Sequence, residues 1–347
     1  MLNVALCAYG MSGKVFQAPL IVANPHLNLH TILQRSGESA KQDYPAVTIV
    51  KTLDEILQNP AIDLVVVNTP NEFHYDMARR SLKAGKHVVV EKPICLTEYE
   101  AERLIELAKR ENKMLAVFQN KRLEPDHLTV QKIVRENLLG RIVEVEWHYD
   151  RYRKDITHKR WKEDPQVGAG TWFDLGVHMI DSMLTIFGEP RAVFGDMRSL
   201  RRSEGSVDYF NVICYYHDMR DILRSSTFVS EKGPSVIIHG DKGSFQKFGQ
   251  DIQEAQLAQG ILPGMAVYAK LKDDNYGLLT LQPEAGTSLK REKMPAIQGC
   301  YEAFYENVVG HITQGEPLLF DASLPLVGMK VLRAAEDSFI QGRIMPL

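Results

Sequence analysis

The sequence predicts an α/β unit wound on a parallel sheet, followed by an α+β unit whose open, mainly antiparallel sheet carries helices on one face. Three observations predict it. Short apolar runs alternate with helical stretches through the first third of the chain. Long strands with short turns dominate beyond Gly188, and between these regions lies a single helix, Gly168 to Gly188, of unusual polarity. With 347 residues, 44% of them hydrophobic, the chain can bury two ordinary cores. The expected domains are 1–120 and 121–347, with the last helix able to pack back on the first domain.

Composition narrows the partners. The formal net charge is -3, and no Lys/Arg cluster is interleaved with aromatics as on a nucleic-acid surface. A small-molecule partner is expected, and no nucleic acid. The longest apolar runs, such as Leu64 to Val67 and His87 to Val90, have strand length. Met1 to Ala8 lacks the basic start and long apolar core of a signal peptide. A cytoplasmic protein with no membrane partner is therefore expected. Cys7, Cys95, Cys214 and Cys300 are far apart and show neither CxxC nor HExxH spacing, so they read as reduced, mostly buried thiols with no metal site.

Taken in order, Asn3 to Cys7 is an apolar strand running into AYGMSGK, with Val15 to Ala23 helical beyond it. Ala8, Gly10 and Gly13 have the spacing of GxGxxG with the first glycine replaced. Strand, tight turn and helix form the context of a dinucleotide fingerprint. Gly10 lets the backbone approach a pyrophosphate and Gly13 lets the helix pack on its strand. Tyr9, Met11 and Ser12 complete the turn, with Ser12 and the helix start offering donors. Ala8 is expected to hold a negative φ. Strands at Leu27 to Leu33, Thr48 to Val50, Leu64 to Val67 and His87 to Val90 alternate with helices such as Thr52 to Gln58 and Met77 to Ala84. The polar ends NTPN (Asn68, Thr69, Pro70, Asn71) and EKP (Glu91, Lys92, Pro93) should face the ligand crevice. Pro93 restricts Lys92 to extended geometry. A helix, Glu98 to Arg110, and a strand, Met114 to Phe118, complete this half near Asn120.

The end of the second strand bears on the nucleotide. A carboxylate about 20 residues beyond the glycine turn serves the ribose of NAD, whereas Leu33 to Ser36 hold none. Arg35 can pair with a 2′-phosphate in bidentate fashion and Ser36 adds a hydroxyl, which favours NADP with NAD possible. The alternative is a solvated Arg35, with Glu38 swinging in to serve the ribose.

Beyond QNKRLEPD comes a helix, Leu128 to Asn137, and an alternating strand, RIVEVEWHYDRYR. Ala192 to Leu200, Val207 to Tyr216, Asp221 to Val229 and Ser235 to His239 then read as an antiparallel meander. Gln250 to Lys290 is poorly readable, and helices Tyr301 to Thr313 and Ser323 to Gln341 close the chain. An open sheet needs cover for its second face, hence a homodimer or homotetramer is expected. Arg151, Tyr152, Arg160 and Trp161 stand where a substrate wall could form, or are surface and packing residues at a strand end.

In the central helix Asp174, His178, Asp181, Ser182 and Thr185 fall at i, i+4, i+7, i+8 and i+11. A solvated stripe normally carries Lys, Glu and Arg, yet Pro165 through Gly188 contains none. The helix is therefore expected to be buried against a wet pocket. One turn apart, Asp174 and His178 place a carboxylate beside an imidazole, the constellation that proton transfer needs. Gly188 should end the helix.

AYGMSGKVFQAP, TPNEFH, HVVVEKP and GAGTWFDLGVHMID, in this order and over the whole length, resemble the Gfo/Idh/MocA family of NAD(P)-dependent oxidoreductases. HYDRYR, KRWKE and VDYFNVICYY are most similar to its NADP-dependent scyllo-inositol dehydrogenase branch. The resemblance implies an N-terminal Rossmann domain, Lys92, Asp174 and His178 as the catalytic trio, and Thr69, Asn71, His74 and Glu91 as cofactor contacts. It implies a dehydrogenase acting on CH–OH groups, in which His178 takes the hydroxyl proton, Asp174 orients it and Lys92 donates to the same oxygen. Alternatives of the same architecture are a non-catalytic cofactor-sensing regulator and an imine or biliverdin-type reductase. Ala8 replaces the first turn glycine, Gln17 stands where relatives often have histidine, and NKRLEPD lacks the tryptophan of a typical NRRWD.

Overall fold

The computed structural model describes residues 1–156, 164–165, 168–282 and 288–347. The chain divides into two compact units. One comprises Met1–Leu123, Ile252–Lys270 and Cys300–Leu326, and the other Glu124–Asp251, Leu271–Gly299 and Val327–Leu347. Among the described residues no helix is long and apolar enough to cross a membrane.

The first unit is wound on six strands: β1 (Leu2–Leu6), β2 (Leu27–Leu33), β3 (Thr48–Val50), β4 (Leu64–Val67), β5 (His87–Glu91) and β6 (Leu115–Phe118). Every pairing is parallel, in the order β3-β2-β1-β4-β5-β6. Helix-covered faces on both sides explain why β4 and β6 are buried at every residue and read as unbroken apolar runs. The covering helices begin at strong local signals. Thr52 with Glu55 and Thr97 with Glu100 form reciprocal capping boxes that start Leu53–Leu57 and Glu98–Arg110. The second of these helices buries Ala101, Leu104, Leu107 and Ala108, an i, i+3, i+6, i+7 stripe.

The core of this unit recruits a late segment. Phe304, Tyr305 and Val308, on the helix Ala303–Gln314, are fully buried among Val4, Leu6, Val66 and Phe118. The Phe118 and Phe304 rings meet edge to face at 4.8 Å. Residues 252–270 and 300–326 thus cluster with the nucleotide half, where the sequence reading placed 121–347 as one block. Cys7, Cys95 and Cys214 are buried thiols and Cys300 is half-buried; burial pushes the Cys7 thiol up to about 12.

The second unit is built on nine strands: β7 (Ile142–His148), β8 (Ala192–Arg198), β9 (Tyr209–Tyr215), β10 (Arg220–Ser226), β11 (Val236–Gly240), β12 (Gly243–Lys247), β13 (Tyr276–Leu281), β14 (Lys290–Pro295) and β15 (Met345–Pro346). Their order is β14-β13-β12-β11-β7-β10-β9-β8-β15. The sheet is not the pure meander expected from the strand pattern. β7 lies between β10 and β11 and pairs parallel with β10, while the other pairings are antiparallel. Alternation reports which face a residue occupies and is silent on which strand it neighbours. The stretch from Gln250 to Lys290, unreadable as sequence, holds the helix Gln253–Ala258 and strand β13.

Candidate active site

The glycine turn follows β1 and enters a helix whose first turns, Ser12–Gln17, are π-helical and continue as Ala18–Ala23. Lys14 N–H closes the turn on Gly10 O at 2.9 Å. Ala8 is not among the described residues with positive φ, as its side chain requires. A Cβ built on Gly10 would meet nothing within 4 Å, leaving the open approach that a pyrophosphate needs. Gly10 and Met11 are exposed, and no side chain caps the helix start. Its first amides can therefore turn toward an anion.

Around this turn the side chains are mutually engaged. The Ser12 hydroxyl and Gln17 Nε2 both donate to Glu91 Oε1, the latter at 2.7 Å. Tyr305 donates to Gln17 Oε1 at 2.5 Å. Gln17 is fully buried, and this Tyr305–Gln17–Glu91 chain was not legible in sequence because Tyr305 arrives from the late segment. Tyr9 donates to Asp43 Oδ2 at 2.7 Å, and Lys14 pairs with the same oxygen at 2.9 Å. The Lys14 ammonium, then Tyr9, holds the Asp43 carboxyl below the usual carboxylate range.

At the end of β2 the Gln34 side chain accepts from Ala40 N–H and donates to Ser39 Oγ, both at 3.0 Å, folding the loop that presents Arg35 and Ser36. Both are exposed, and Arg35 has no ion-pair partner among the described residues. Glu38, the alternative ribose ligand, lies 3.9 Å from Lys41. The glycine turn, with an open Gly10 and an exposed Met11 at the helix start, fits a dinucleotide.

After β4, Thr69 is half-buried, Pro70 exposed, and Asn71 opens a 3-10 turn, Asn71–Phe73. His74 is fully buried, with Nδ1 2.8 Å from Pro93 O and Nε2 2.9 Å from Thr69 O. Burial pushes this imidazole below its usual range, and the two carbonyls pull the other way. With its ring between these two carbonyls, His74 ties the Thr69 loop to the EKP loop. Lys92 and Glu91, at the end of β5, are half-buried; Asn120 is buried at the start of a 3-10 turn, Asn120–Leu123.

In the second unit the expected central helix has two parts. Trp172–Gly176 is π-helical and Val177–Phe187 is α-helical, ending at Gly188 with φ 77°. The wider turn is packed around Trp172. Trp172 donates to Leu332 O at 3.2 Å and stands edge to face with Phe210 at 4.9 Å. A Cβ on Gly176 would lie 2.3 Å from the Trp172 ring. The Asp174 to His178 spacing therefore spans a π-to-α transition, a feature that recurs at functional sites. Asp174 is half-buried, whereas His178, Asp181 and Ser182 are 5%, 4% and 1% exposed. Thr185 spends its hydroxyl on Asp181 O at 2.7 Å.

Acids gather near this stripe. The Tyr149 phenol is held far above its usual range by burial, then by Glu124, Asp126, Asp181 and Asp251. Fully buried Lys247 lies 2.9 Å from Asp126 Oδ1 and donates to Asn275 Oδ1 and Phe248 O, both at 2.6 Å. Sequence reasoning missed both Tyr149 and Lys247. Alternation was the available signal for Lys247, which shares the buried face of β12 with Phe245. Arg151 and Tyr152 are exposed; Arg151 N–H donates to Ser226 O at 2.9 Å, and Tyr152 bridges Phe228. Arg160 and Trp161 lie outside the described residues.

These features define a nucleotide-binding oxidoreductase fold, and comparison agrees. Residues 2–119 match an oxidoreductase family with an NAD-binding Rossmann fold, and residues 127–246 match the GFO/IDH/MocA C-terminal domain. The chain is 34% identical over 346 residues to scyllo-inositol 2-dehydrogenase (NADP(+)) IolW of Bacillus subtilis, covering 100% of this chain and 96% of that protein. It is 36% identical to the uncharacterized oxidoreductase YdgJ of Escherichia coli over 88% of this chain and 86% of that one. Among solved structures, an oxidoreductase from Bacillus cereus superposes with TM-score 0.92 at 28% identity, covering 100% of this chain and 99% of that chain. The chain belongs to the Gfo/Idh/MocA family of NAD-binding oxidoreductases.

Proposed function

We propose that this oxidoreductase interconverts a polyol or inositol-type alcohol with its ketone, using NADP(H). The observation that carries the reading is Asp174 and His178 on a helix otherwise free of long charged side chains, with His178 buried. Full-length similarity to a scyllo-inositol 2-dehydrogenase supports the substrate class. Bound nicotinamide supplies the hydride acceptor. The chain's own residues then handle the hydroxyl: His178 takes its proton, Asp174 orients the imidazole and stabilises the imidazolium, and Lys92 offsets alkoxide charge as the C–H bond breaks. Arg35 and Ser36 hold the 2′-phosphate. A non-catalytic regulator would have no use for this trio. The test is a panel of polyols with either cofactor, read as the near-ultraviolet absorbance of reduced nicotinamide. Turnover with a cyclic polyol and NADP supports the reading, and no turnover with any polyol overturns it.

A further inference from the structure

The first unit carries a second concavity, of about 530 Å³, at the end of its sheet opposite the glycine turn. His87 opens β5 and Met114 precedes β6, so the cavity lies at the N-terminal ends of parallel strands, while Gly10, Asn68 and Glu91 lie at the C-terminal ends. Its polar lining is basic. Lys109 and Lys113 both reach it, and among the described residues neither ammonium has an ion-pair partner. The one carboxylate, Asp321, is engaged by Ser323 N–H at 2.7 Å.

Two histidines on the same wall are set in orientation by backbone. His87 Nδ1 accepts from Met114 N–H at 3.0 Å, so its proton sits on Nε2 as a donor. His311 Nδ1 donates to Glu316 O at 2.7 Å. Burial first, then Lys113 and His311, push the His87 imidazole down to about 4 against the opposing pull of Asp63, so this ring stays neutral near neutral pH. Ile105, Ile312 and Leu318 supply an apolar floor.

We propose that this cavity binds a small oxyanion with an apolar body, a carboxylate or phosphate monoester, gripped by Lys109 and Lys113 and oriented by the His87 Nε2–H donor. Two free ammonium groups against one engaged carboxylate leave a net positive site, the complement of a small anion. The site is independent of the nucleotide crevice and of the proposed chemistry.

Calorimetry and thermal unfolding of the whole chain with phenyl phosphate, benzoate and inorganic phosphate test it. Three proteins are compared: wild type, the Lys109→Gln/Lys113→Gln double variant, and Arg35→Ala, which removes the expected phosphate contact of the crevice. Phenyl phosphate or benzoate should raise the unfolding midpoint of wild type and of Arg35→Ala alike. The double variant should unfold at the wild-type midpoint without ligand, yet bind about tenfold or more weakly. A preference for phenyl phosphate over benzoate identifies a phosphate ester, and the reverse a carboxylate. Absence of a midpoint shift in wild type, full retention of binding in the double variant, or loss of binding in Arg35→Ala each overturns the proposal.

Discussion

Asn68 holds Ala8 by both ends of its amide: Oδ1 accepts the Ala8 N–H and Nδ2 donates to the Ala8 carbonyl, each at 2.9 Å. This pair locks the backbone at the first position of the glycine turn. It also makes Gly13 indispensable, because a Cβ at 13 would lie 2.4 Å from Ala8 O and 2.9 Å from Asn68 Nδ2. Gly13→Ala should cost about 1–3 kcal/mol in stability through overpacking and weaken nucleotide binding at least ~10-fold. Denaturant titration and fluorescence titration with NADP check both. A variant indistinguishable from wild type would mean the turn can relax.

That pair also shows where sequence reading stops. The turn was legible from glycine spacing and the strands around it from apolar runs, because both are local. The Asn68 partner lies 60 residues away, as the Tyr305–Gln17 contact lies 288 away, and neither separation leaves a periodic trace. The helix from Asp174 onward was legible as buried from the residue types it lacks. Its π turn was not, since residue-type periodicity does not separate a π turn from an α turn. The parallel β7–β10 pairing escaped for the same reason, because strand patterns do not name partners.

His148 gives a pH-dependent prediction. Asp150, then Glu146, raises its imidazole above the ordinary range, against the opposing effect of burial. A raised folded value means that the stabilisation is fully present below the unfolded value near 6.5 and is lost as pH rises through the folded one. Urea midpoints of wild type and His148→Gln should therefore differ most in mildly acidic buffer and converge in mildly alkaline buffer. A gap that is constant with pH would show that the ion pairs contribute nothing.

For the chemistry, Lys92→Met should lower turnover about 100-fold or more while leaving NADP affinity within a few-fold, as loss of an oriented donor does. His178→Ala should be similarly crippled. Steady-state rates beside cofactor titrations separate the two quantities. Undiminished turnover in either variant removes that residue from the proposed roles.

The outer face of the second sheet predicts assembly. Phe194 pairs with Ile213, Ile213 with Ile222, and Ile237 stands across Glu146 from Ile222, forming an apolar row that is only half-buried. Such a row on an open sheet is the kind of surface that self-association covers. Light scattering should report at least a dimer, and Ile213→Lys should lower the measured mass. A monomeric wild type would mean the row is left to water.

Nucleotide choice rests on Arg35. With no acid from Leu33 to Ser36 and Glu38 near Lys41, nothing at the end of β2 repels a 2′-phosphate, and the exposed guanidinium is free to pair with it. Wild type should accordingly prefer NADP. Arg35→Ala should raise the KM for NADP far more than for NAD, by the equivalent of about 1.5–3 kcal/mol for lost charged hydrogen bonds. Because the substitution touches an exposed strand-end residue, folding should be unaffected and the two cofactors serve as each other's control. A wild-type preference for NAD, or an equal loss with both cofactors, would assign the ribose to Glu38 instead.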